Sequence, residues 1–299
     1  MAPNGLIIIL DFQYLVHYLC ELINNQNHEE MATINGPFEF NGSFGNMRCY
    51  YDPGTKKWVF GRKGGFTKKQ YQTLESLEPQ RENASELTGR SKWCSLLYQS
   101  LTFVQHLMDI RCWGKIMAGG TIIQRQDTNN PKGLRMIEVG KDLQAITRIE
   151  FNELHPLRNV IRDSYVVNFL PDKKTATLTI PGFVTNNDAW WVTKYLAVRL
   201  YLVIAQTSDM AYNTENKQWE PIVSDLELLS KKAVTEWMYN NSSAQDVNLT
   251  VSLDEAAFSV PGTAVVLAIG VEFALSSTNG QPFALPHNGS VAIVKCYNQ

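Results

Sequence analysis

The chain has 299 residues, 44% of them hydrophobic and 19% charged, which excludes a disordered polypeptide and leaves room for one large domain or two ordinary ones. Its net charge of −2 is unevenly spread: residues 1–30 carry −4 with neither Lys nor Arg, residues 31–162 carry +7, and residues 163–299 carry −5. The five cysteines are odd in number and lack any CxxC spacing, which argues against a disulfide framework or zinc site and for a reducing compartment.

Along the chain, the run from Leu6 to Ile23 is apolar but broken by Asp11, Gln13, His17 and Glu21. A membrane span needs roughly 20 predominantly apolar residues, so no span is expected here. The run also lacks the positive n-region and small-residue cleavage site of a secretory signal. Residues 1–30 therefore read as a loosely attached extension ahead of a start at Met31, and the protein as cytoplasmic or released in an assembled particle.

Residues 31–162 read as a basic hairpin and helical region. Strand-like Asn46–Tyr51 and Trp58–Arg62 flank Asp52-Pro53-Gly54, where Pro presets φ and Gly is expected to take the positive φ of the turn. The stretch Ala84–Arg111 reads as one long helix. Its residues Leu87, Cys94, Leu97, Leu101, Val104 and Met108 recur at helical spacing on one face. Gly114–Arg125 is a second helical or irregular stretch, and in the mixed stretch after it Pro156 limits any helix before it.

From Ser164 the period becomes two. Ala176, Leu178 and Ile180 face one way along a strand, and Leu249, Val251 and Leu253 repeat the pattern. Tyr195–Ile204 is apolar on both faces, as a central strand should be. Ala264–Leu275, the turn Ser276–Gly280 and Ser290–Tyr297 form a closing hairpin. The expected fold class is α+β: an N-terminal hairpin and long helix, then an antiparallel Ig-like β-sandwich over residues 163–299.

Gly45–Arg62, Arg148–Val160, Thr177–Phe183 and above all Ile269–Lys295 together resemble an uncharacterised Bacteroidota family. Its members pair a basic, Gly-containing N-terminal segment with a C-terminal Ig-like sandwich. The resemblance covers most of residues 31–299 and implies a fold and a bacterial context, with no catalytic or ligand-binding residues to carry over.

No GxGxxG, GxxxxGK[ST] or GxSxG motif is present. His106 and Asp109 lie three apart on the expected helix and supply half a metal site; Glu150 and Glu153 are a candidate carboxylate pair. No catalytic, cofactor or metal residue is assigned from them. The constellation that carries chemistry is cationic: Arg48, Lys56, Lys57, Trp58, Arg62, Lys63, Lys68 and Lys69, interleaved with aromatic rings, offer charges for phosphates and faces for bases. The leading expectation is a non-enzymatic structural or assembly subunit that self-associates. One alternative is a nucleic-acid- or polyanion-binding module using this hairpin. Another is a carbohydrate- or peptide-binding protein walled by Trp190, Trp191, Tyr212 and Trp219.

Overall fold

A computed structural model describes residues 32–34, 41–147, 149–161, 165–185, 195–224, 229–240, 243–253 and 260–298. The expectations for residues 1–30, Trp190 and Trp191 lie outside them. The chain divides into two compact units between Thr73 and Leu74.

In the first unit, strands β1 (Ala32–Ile34), β2 (Gly42–Phe44), β3 (Met47–Asp52) and β4 (Lys57–Arg62) form an antiparallel sheet in the order β1-β4-β3-β2. The short helix α1 (Lys68–Thr73) follows. It opens with a capping box: the Thr67 hydroxyl accepts the Gln70 N–H (3.2 Å) and the Gln70 side chain accepts the Thr67 N–H (2.9 Å).

The β3–β4 hairpin forms as expected, but its turn works differently. Gly54 does not take positive φ; Lys56 does, at 55°. Asp52 organises the turn instead, accepting the Gly54 N–H (3.0 Å) and the Thr55 hydroxyl (2.7 Å), so side-chain hydrogen bonding replaces the glycine's role. A non-glycine residue in the left-handed region is strained. Lys56→Gly should accordingly stabilise this unit by up to about 1 kcal/mol in chemical denaturation, and a destabilised variant would refute the strain.

The second unit begins with α2 (Glu78–Ser100), which has Pro79 in its first turn, where a missing N–H does no harm. Its buried face runs through Glu86, Gly89, Trp93, Leu97 and Ser100; Leu87, expected to be buried, is 50% exposed. The helix does not continue to Arg111. It gives way to a 3-10 turn over Thr102–Leu107, and the Gln105 side chain donates back to the Tyr98 carbonyl (2.7 Å). Tertiary packing decides this. Val104 and Leu107 settle against Gly270 and Gly289, where an added Cβ would lie 2.9 Å from Val104 and 2.8 Å from Leu107. Helix α3 (Cys112–Arg125) crosses α2 where Gly120 faces the buried Trp93 ring. The four-residue α4 (Leu157–Val160) follows Pro156.

The remaining strands are antiparallel: β5 (Val166–Phe169), β6 (Thr175–Phe183), β7 (Ala197–Ser208), β8 (Met210–Asn213), β9 (Gln218–Pro221), β10 (Ser230–Val234), β11 (Met238–Tyr239), β12 (Gln245–Ser252), β13 (Thr263–Ser276) and β14 (Pro282–Asn298). One sheet has the order β10-β7-β13-β14, with β11 also on β7; a second has the order β12-β6-β5; β8 and β9 pair separately. The fold is thus α+β with antiparallel sheets.

The central strands are buried on both faces, and strand alternation explains how. Tyr201, Val203 and Ala205 of β7, with Val266 and Ala268 of β13, join a core with Trp93, Leu97 and Ile116 of the helices. Their neighbours Leu200, Leu202 and Ile204, with Leu267 and Ile269, join a second core with Leu178, Ile180, Leu249 and Val251 of the smaller sheet. Helices, large sheet and small sheet stack as three layers. A cut near residue 162, expected from the change of period, would run through the first core. Residues before and after it share that core, so the units part at Thr73–Leu74 instead.

Candidate functional site

The cationic hairpin is built, but its charges do not converge. Pairing of Arg48 with Gly61, Tyr50 with Val59 and Asp52 with Lys57 puts Arg48 and Lys57 on one face of the sheet. Tyr51 opposite Trp58 and Met47 opposite Arg62 put Trp58 and Arg62 on the other face. The Arg48 guanidinium sits 5.5 Å from the Tyr50 ring, and Tyr51 and Trp58 meet edge to face at 5.5 Å. Lys56 lies in the turn, Lys63 just past β4, and Lys68 and Lys69 in α1. The eight residues therefore distribute over both sheet faces, the turn, the segment after β4 and α1.

Two further expectations separate in space. His106 turns to Glu272 (3.1 Å), whereas Asp109 accepts the Arg111 N–H (2.7 Å) and the Glu153 N–H (2.6 Å). Glu150 accepts the Leu157 N–H at the start of α4 (2.6 Å), while Glu153 pairs with Arg111, so these carboxylates are occupied separately. Among the described residues no three His, Cys, Asp or Glu side chains gather to hold a metal. Cys94 and Cys296 are pushed by burial up to about 12 and about 11, so both thiols are poor nucleophiles.

Trp219 is buried in the core, although it also lines a cleft of about 320 Å³ with Lys92, Leu96, Gln99 and Glu220. Its ring lies over Gly89 of α2, its Nε1 donates to Ser85 Oγ (3.2 Å), and Tyr212 meets it edge to face at 5.6 Å. A cleft of about 510 Å³ does open between Val234–Tyr239 and Gln245–Leu249, with Trp237 in its wall.

Two features lie outside the sequence expectations. The first is a half-buried polar cluster around a buried carboxylate. Arg199 and Glu272 stand directly opposite on β7 and β13. The Glu272 carboxylate receives the Arg199 Nε–H (2.5 Å), the Tyr201 hydroxyl (2.7 Å) and the His106 Nε2–H. Arg199 also stacks 4.3 Å from the Trp237 ring. Burial pushes the Glu272 carboxyl up, but these three donors and the guanidinium charge outweigh it and bring it down to about 2. Burial and donation to Glu272 raise the Tyr201 phenol. The signal was present: an acid and a base each interrupt an otherwise apolar central strand.

The second feature is an exposed corner. Ile110 is 94% exposed and Leu154 82% exposed, the extremes among the large apolar side chains described. The loops that carry them are tied side by side. Asp109 bridges them through its two carboxylate oxygens, the Asp109 N–H donates to the Phe151 carbonyl (3.2 Å), and Arg111 pairs with Glu153. Buried Asn152 accepts the Leu154 N–H (3.1 Å) and His155 N–H (3.0 Å) and donates to the Gly289 carbonyl (3.0 Å). His287 Nδ1 donates to the Met108 carbonyl (2.6 Å). The corner is thereby held in one geometry. Periodicity points to buried faces, so it gave no hint of these two residues.

Among the described residues no helix is long and apolar enough to cross a membrane. No protein-family model matches the chain, and no curated protein is significantly similar to it.

Proposed function

We propose that the chain is a non-enzymatic assembly subunit that acts through protein–protein contacts as part of a filament, particle or appendage. The observation that carries this reading is the corner: two aliphatic side chains presented to solvent on loops fixed by a dense hydrogen-bond network. Exposed apolar side chains on a preorganised surface are what a docking partner can desolvate at little ordering cost. On this reading residues 163–299 hold an Ig-like sandwich. Its support is strand order: in chain sequence β5, β6 and β12 supply strands A, B and E, and β7, β10, β13 and β14 supply C, C′, F and G. The helices then cover the outer face of the C–F–G sheet, making it a stiff carrier for the corner. The cytoplasm, or a particle released from it, is the compartment this reading favours, in line with the resemblance to Bacteroidota proteins.

Light scattering with negative-stain images of the full chain tests the reading. Species larger than one chain that grow with concentration are expected; a monomer at every concentration would refute it.

A second reading, binding of single-stranded nucleic acid or another polyanion by the first unit, is favoured by the face that joins Tyr51, Trp58 and Arg62. It predicts oligonucleotide binding that weakens steeply with salt and falls about tenfold or more in Trp58→Ala. Binding that ignores both would exclude it.

A further inference from the structure

We propose that the Ile110–Leu154 corner is a two-fold contact between two copies of this chain, an inference that rests on the assembly reading. Charge identifies the partner. A corner facing an acidic or a basic protein would carry one sign, but this one carries both: Arg111 and Glu153, with side chains 72% and 49% exposed, sit beside the two aliphatic residues. A two-fold axis lays a patch on itself, so residue i meets the partner's residue j and the reverse. A patch that presents Arg111 and Glu153 beside two aliphatic groups, with the Asp109 carboxylate between the loops, still offers its one cation an anion of the partner and the reverse under that operation.

The pairing needs only a swap. Arg111 and Glu153 are bonded to each other within one chain. Both are exposed, so Arg111 exchanges its own Glu153 for the partner's Glu153 with little loss of hydration, while Ile110 and Leu154 leave water between the two symmetric ion pairs. Asp109 and Asn152 hold the backbone on either side, so little ordering accompanies the contact. The remaining exposed cations and anions of the chain are not needed for it.

The test uses the full chain and two charge reversals, Arg111→Glu and Glu153→Arg. Both side chains are exposed, so each variant should unfold at nearly the wild-type temperature. Each alone sets like charges face to face and should weaken self-association about 30-fold or more in sedimentation velocity. Mixing the two variants sets a wholly acidic patch against one whose two cations outnumber Asp109, and native mass spectrometry should then show one-to-one pairs of the two variants. Restoring the ion pair inside a chain cannot produce that result, because neither variant regains it on mixing. Wild-type assembly with no preference in the mixture would overturn the two-fold contact and leave the assembly reading standing. A wild-type monomer throughout would overturn both.

Discussion

Glu272→Gln should lower the stability of the second unit by about 3 kcal/mol at neutral pH, because it removes the one anion that satisfies Arg199, Tyr201 and His106 together. The Glu272 side chain is only 3% exposed, so water does not replace the lost carboxylate. A pH signature separates this from ordinary core damage. The carboxyl is depressed to about 2 in the fold from an ordinary value of 4.5. Its contribution is therefore complete above about pH 4.5 and drains away as pH falls toward about 2. The wild type should lose up to about 3 kcal/mol over that window beyond what the variant loses, read by urea denaturation at stepped pH. Equal pH dependence in the two proteins would show that the carboxylate is not held ionised by its donors.

The same cluster shows which parts of the fold are legible in the sequence. Alternation announces β6 and β12, because each buries a single face: Ala176, Leu178 and Ile180, and Leu249 and Val251, lie where the period of two puts them. The unbroken apolar runs of β7 and β13 announce central strands. What covers their second face is not legible, since a doubly apolar strand reads the same under helices as under another sheet. That ambiguity is why the helices look like a separate region in the sequence while sharing a core with the large sheet. The end of α2 was hidden for a related reason. The periodicity of Val104 and Met108 continues past Ser100, but close packing against Gly270 and Gly289 bends the chain into a 3-10 turn. The corner was hidden most completely, because its geometry comes from Asp109 and Asn152 bonding across 44 and 137 positions of sequence.

The largest packing effect is expected at Trp219, read from the sequence as the wall of a ligand site and found in the core. Trp219→Ala should cost about 3–5 kcal/mol, the usual penalty for deleting a large buried ring. Gly89→Ala should also destabilise, by about 1–3 kcal/mol, since its new Cβ would lie 2.6 Å from a ring atom of Trp219 and the indole has no flexible end to move aside. The two changes should not add. Once the ring is gone, Gly89→Ala fills part of the space and gains the roughly 1 kcal/mol by which Ala exceeds Gly in a helix interior, so its sign should reverse. A double-mutant cycle in urea would then give a coupling of about 2–4 kcal/mol. If the ring instead stood free at a binding surface, Gly89→Ala would stabilise the wild type as well and the coupling would vanish. The sign of that one substitution in the wild-type background therefore decides whether Trp219 locks β9 onto α2 or waits for a ligand.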